Sequence, residues 1–229
     1  MKIIFSYLLK EVKCNLIDLF NFTKYGNKAI RKYSTTWINP LEINYSTRFF
    51  SPRKIPQLYK FSDELHIGKI KNKLRTFISN GDWDREIIDI NEVRIIERTL
   101  RHFSSKQTWE EVGEINWMLE NIKFHGSQDG CKSLRDVMLR LERLDNLKYE
   151  LANNKKFKSQ KEINPHNFRG TSGIGIGITR LGNIIWMGGG GHRLAIAKYL
   201  KLRKIPVFIK IIHEDAIINR YISKKFIYK

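Results

Sequence analysis

Four consecutive glycines, Gly188 to Gly191, run directly into His192 and Arg193. Glycines in series let backbone N–H groups turn toward one point, and a helix that starts beside them adds roughly half a positive charge. The chemistry on offer is the capture of an oxyanion. Gly189, Gly190 and Gly191 would supply amides, and His192 and Arg193 side-chain donors, arginine being able to hold a phosphate through two parallel bonds. Two cations at a helix N-terminus oppose the macrodipole, an arrangement that makes sense with an anion between them. The plainer alternative is a flexible glycine turn with a solvated Arg193. A second group is the pair Asp82 and Asp84 around Trp83, in the turn Asn80-Gly81-Asp82-Trp83-Asp84. A carboxylate on a turn can take a hydroxyl proton or hold Mg²⁺ through oxygen. The alternative is an Asx-capped helix start. His213, Glu214 and Asp215 either reach the same site or form an exposed polar strand end. Cys14 and Cys131 lie far apart in unlike contexts, so neither a disulfide framework nor a thiolate metal site is expected, and a reducing cytoplasm fits.

These groups must be positioned by the elements around them. Ile174, Ile176 and Ile178 alternate with Gly175 and Gly177, the period of a strand whose second face is stripped of side chains, as happens where a ligand or another backbone comes close. Arg180 to Asn183 reads as a hairpin turn and Ile184 to Trp186 as the returning strand. After the glycines, Leu194 to Leu200 reads as a short helix and Ile205 to Ile212 as a final apolar strand. Upstream, helical stripes cover Val93 to Phe103, Trp109 to Ile122 and Leu134 to Leu151 and predict core-facing helices. Lys155 to Lys161 reads as a solvated basic linker. Trp37 to Ile43 reads as a strand entry punctuated by Pro40. Residues 1–25 carry Ile4, Phe5, Leu8, Val12, Leu16, Leu19 and Phe20 at helical spacing, an amphipathic helix that either packs on the body or lies on a membrane surface. The division that follows is an N-terminal helix over 1–34 and one domain over 35–229, with a helical insertion at about 88–160.

The chain has 229 residues and a formal charge of +19. That balance points to an anionic partner, with drift toward a lysine-rich composition as the competing explanation. No run approaches the roughly 20 apolar residues of a membrane span.

Gly188 to Ala197, followed by Leu202 and Ile205-Pro206-Val207, resembles the ParB/sulfiredoxin-like superfamily, in which a glycine turn ending in His/Arg-Arg opens a helix and cradles nucleotide phosphates. Trp37 to Ile43 is similar to the opening strand of that fold. The resemblance covers 174–212 and, more loosely, 37–43. It implies an α+β fold with a small mixed sheet and flanking helices, to which the N-terminal helix and the helical insertion are additions. It also implies phosphates held by Gly189, Gly190, Gly191, His192 and Arg193, with ATP, ADP or CTP as the nucleotide and Mg²⁺ as a possible companion. Sulfiredoxins carry a cysteine where Gly191 stands here, so their reductase chemistry has no nucleophile. DNA-clamping partition proteins carry a helix-turn-helix after the core, and the short remainder beyond Ile212 points instead to compact members such as the free-serine kinases. Those enzymes use a glutamate just after the first strand as general base. Glu42 is the nearest counterpart, although on this reading it falls inside that strand.

The leading expectation is a nucleotide-dependent enzyme, a kinase or NTPase that transfers a phosphoryl group to a small hydroxyl-bearing molecule or hydrolyses the nucleotide. Asp82, Asp84 or Glu42 would act as base. The alternative is a nucleic-acid-binding protein or ParB-like nuclease using the basic stretches at 69–75, 94–101 and 155–161. A third class is a nucleotide sensor or membrane-surface adaptor working through residues 1–25.

Overall fold

The computed structural model describes residues 2–47, 78–167, 173–222 and 226. Seven strands form one mixed sheet: β1 (Thr35–Ile38), β2 (Tyr45–Thr47), β3 (Ile78–Ser79), β4 (Ile87–Asp89), β5 (Ile174–Ile178), β6 (Ile184–Trp186) and β7 (Ile205–His213). Their order is β1-β7-β5-β6-β2-β4, with β3 pairing the far half of β7. β7 runs parallel to β5 and antiparallel to β1, while β6 runs antiparallel to β5 and parallel to β2. Among the described residues there are seven α-helices: α1 (Lys2–Tyr25), α2 (Arg94–Ser105), α3 (Glu114–His125), α4 (Leu134–Asn154), α5 (Gln160–Ile163), α6 (Gly191–Tyr199) and α7 (Glu214–Ile218). The protein is an α+β fold with helices flanking a mixed sheet.

The isoleucine-glycine alternation of β5 sorts the core. Ile174, Ile176 and Ile178 join α6 residues Leu194 to Ala197 and the stripes of α2 and α4 in the main apolar core. The opposite sheet face holds a small cluster of Trp83, Ile185, Met187 and Ile211. Gly175 and Gly177 are required there. A Cβ on Gly175 would lie 2.6 Å from Lys210 Cε and 2.7 Å from the Gly188 carbonyl, and one on Gly177 would lie 2.9 Å from Met187 Cγ. What comes close is therefore the Gly188 carbonyl and the side chains of Lys210 and Met187.

Several expectations change in the structure, the solvated linker at 155–161 among them, since Phe157 is buried in the core and Ser159 caps α5. Trp37 to Ile43 is not one strand: β1 ends at Ile38, and Pro40–Glu42 is a 3₁₀ turn. Asn39 caps that turn by accepting from the Leu41 amide at 3.0 Å, and Pro40 at its first position cannot donate to a ladder. The middle helices start at Arg94 rather than at about 88, because Ile87–Asp89 is sheet and pairs with β2. Trp109 and Val112 are buried in the turn that precedes α3, not within it. The basic stretch 69–75 lies outside the described residues.

Candidate functional site

Trp186 closes β6, and the chain then makes three residues with positive φ, Gly188 (80°), Gly189 (82°) and Gly190 (61°), before α6 begins at Gly191. The bend is held from both sides. The Trp186 indole donates to the Gly189 carbonyl at 2.9 Å, and Lys210 donates to the Met187 carbonyl at 2.8 Å. Side chains are excluded by contact as well as by φ: a Cβ on Gly189 would meet the Gly173 carbonyl at 2.9 Å, and one on Gly191 would meet Ile95 at 2.7 Å. The nine-residue helix α6 has no side-chain cap at its N-terminus, so its first-turn amides are available in the direction of the bend.

The bend opens into a cleft of about 1390 Å³, walled by α2, α4 and the segment before α4. Arg94, Arg98, Arg101, Arg140, Arg143 and Arg193 all line it, beside four carboxylates, Glu92, Glu97, Asp129 and Asp136. Three of the acids are engaged. Glu97 pairs with Arg101 at 3.2 Å, Asp129 with Arg140 at 3.1 Å, and Asp136 accepts from the Lys132 amide and the Ser133 hydroxyl at the start of α4. Arg140 Nε is buried without an acceptor. Burial and, after it, the charge of Arg140 push the Arg193 guanidinium below its ordinary value.

His192 is buried, with Nε2 3.4 Å from Glu114 Oε1 and the edge of Trp109 packed on its ring. That separation is too long for a strong hydrogen bond, and both atoms otherwise lack a partner. Burial by itself would raise the Glu114 carboxyl, but the His192 contact and then Arg98 hold it below the usual carboxylate range. The imidazole thus faces a carboxylate inside the fold, and His192 and Arg193 both line the cleft.

The three expected bases are not brought to the bend. Asp82 and Asp84 lie past the other end of β5, roughly 20 Å along that strand at about 3.3 Å per residue. There the Arg180 guanidinium reaches Asp84 Oδ1 at 2.7 Å and Asp82 Oδ1 at 3.1 Å, and the Arg180 amide donates to Asp84 Oδ2 at 2.7 Å. Both oxygens of Asp84 are thus engaged by Arg180. The segment is a turn rather than a helix start, with the Arg85 amide on the Asp82 carbonyl. Glu42 sits exposed in the 3₁₀ turn beside the C-terminal half of α6, where Lys198 donates to the Ile43 carbonyl at 2.8 Å. His213 is buried rather than exposed and donates to the Gly81 carbonyl at 2.9 Å. Glu214 ties α1 to the body through Lys24 (2.8 Å) and the Tyr25 hydroxyl (2.7 Å).

The residues missed from sequence are Glu114 and the wall of Arg140 and Arg143; the other wall falls in the basic stretch 94–101. Arg94, Arg98 and Arg101 repeat at i, i+4 and i+7, the signature of one helix face, so part of the wall was available to periodicity. Nothing local tied Glu114 to His192. Among the described residues no group of three or more His, Cys, Asp and Glu is close enough to hold a metal ion.

No protein-family model, no curated protein and no solved structure matches this chain.

Proposed function

We propose that the protein is a nucleotide-binding enzyme of the ParB/sulfiredoxin-like type that transfers a phosphoryl group to a small hydroxyl-bearing molecule or hydrolyses the nucleotide. The observation that carries this reading is the opening of the glycine bend, with the uncapped start of α6, directly into a cleft walled by six arginines. Amides of Gly189 to Gly191 and the Arg193 guanidinium hold the phosphates. Arg140 and Arg98 balance charge, which is most of what phosphoryl transfer asks of a protein. The cleft exceeds the roughly 300–1,000 Å³ of common ligand pockets, leaving room for an acceptor beside a nucleotide. The acid–base role moves from Asp82, Asp84 and Glu42 to His192, with Glu114 orienting its ring, the division of labour of a carboxylate–imidazole pair.

The test is calorimetry and thermal shift with ATP, ADP and CTP, with and without Mg²⁺. At least one nucleotide is expected to raise the melting temperature saturably. Arg193→Ala is expected to weaken it by about 1.5–3 kcal/mol. No shift with any nucleotide, or an unchanged affinity in the variant, removes the reading. A second reading, a nucleic-acid strand in the same cleft, draws on the Arg94 guanidinium stacked 4.2 Å over the Trp117 ring, a pair suited to an unpaired base. Oligonucleotide binding with a steep salt slope that nucleotides do not compete would favour it.

A further inference from the structure

Helix α1 turns its apolar side away from the protein. Leu8, Leu9, Val12, Leu16, Leu19 and Phe20 are each between 48% and 63% exposed. At 100° per residue they fall within one arc of about 120°. The side toward the body carries none of these leucines: Cys14 and Asn21 are buried, Asp18 accepts from the Lys32 amide at 2.6 Å, and the half-exposed Lys24 and part-buried Tyr25 hold Glu214. A helix seated for the benefit of its own protein buries the leucines and exposes the polar residues. This one is fastened the other way round, by hydrogen bonds and ion pairs that fix the apolar arc outward.

We propose that α1 lies in the plane of an anionic lipid surface, with this arc among the acyl chains. The occupant is chosen by charge. Residues 1–34 hold seven Lys and Arg against two Asp and Glu, and the whole chain is +19. Both acids, Glu11 and Asp18, are on the helix, and Asp18 faces Arg31 at 3.5 Å. A second copy of so basic a helix would bring like charges together, whereas acidic headgroups neutralise them. No helix among the described residues is long and apolar enough to cross a bilayer, which suits a helix that rests on the surface. This inference stands apart from the nucleotide site, since it uses no residue of the cleft.

The test is co-sedimentation of the full chain with phosphatidylcholine vesicles and with about 2:1 phosphatidylcholine–phosphatidylglycerol vesicles, no nucleotide present. The variant is Leu16→Gln/Leu19→Gln, which keeps the charge and alters only exposed positions. Wild type is expected to sediment with the anionic vesicles and little with the neutral ones. The variant is expected to lose at least about tenfold in partitioning while keeping its circular dichroism and melting temperature. Equal binding of the variant would make the attraction one of general basic charge and overturn the proposal, as would equal binding to neutral vesicles or none to either. So would sedimentation velocity showing a wild-type dimer that the same substitutions convert to monomer, because the arc would then belong to a second copy.

Discussion

Lys210 occupies the extra position of a β-bulge, where Ile176 faces Ile209 but Gly177 faces Ile211. The bulge turns this side chain onto the glycine-stripped face of β5 and leads its ammonium to the carbonyl just before the glycine bend. Burial pushes its pKa down to about 8. The value in the unfolded chain is near 10.4, so between the two the unfolded chain holds the extra proton and stability must rise with pH. We expect the stability measured by urea unfolding to climb by about 2 kcal/mol more between pH 7.5 and 9.5 in wild type than in Lys210→Met, which lacks this titration. Parallel pH profiles would show that the lysine does not carry a desolvated charge under the bend. Arg193 makes the complementary statement on the cleft side, a cation lowered by burial beside another cation.

At the scale of the element, the bend and α6 form one unit that tolerates no side chain. Gly190 combines a φ of 61° with a Cβ position 2.9 Å from Ile174 Cγ1 and 3.2 Å from the Ile174 nitrogen. Gly126, at the end of α3, has a φ of 75° with nothing within 4 Å. Gly126→Ala should therefore cost only the left-handed penalty, about 1–2 kcal/mol, whereas Gly190→Ala adds crowding and should cost on the order of 2–4 kcal/mol. Denaturant midpoints of the two variants check this, and equal losses would mean that β5 yields to the loop. Gly191 carries the same lesson without the φ. Ile95 of α2 fills the space a side chain would need.

Across the whole molecule, β5 joins two polar centres that the fold keeps apart. At one end is the glycine bend; at the other, Asp84 is buried under Arg180 and His213. Burial alone would raise the Asp84 carboxyl, but the Arg180 hydrogen bonds and then the His213 charge hold it below its ordinary range. A depressed folded value stabilises above the unfolded pKa near 4 and is lost as pH falls through the folded one. Asp84→Asn should cost about 1.5–3 kcal/mol at pH 7, with the gap to wild type narrowing below pH 4, and should leave nucleotide affinity unchanged. A variant that unfolds like wild type but fails to bind would return Asp84 to the active site.

The sequence by itself determined the local segments: the alternation of β5, the 179–183 turn with the Gly182 amide on the Thr179 carbonyl, the glycine bend, and α4 starting at its Ser133 cap. Each is decided by a period or by one residue's φ and capping chemistry, which neighbours in the chain suffice to specify. Only the tertiary structure decided which charges meet. Arg180 finds Asp84 across 96 residues, Glu114 reaches His192 because α2 and α3 fold over α6, and Lys210 reaches the bend because one bulge shifts a register. Such pairings depend on where whole elements pack, and the desolvation that makes them matter exists only after packing. The outward seat of α1 is of the same kind: its stripe is legible in the chain, but the side that faces the body is set by Glu214 and Asp18, which no helical period reveals.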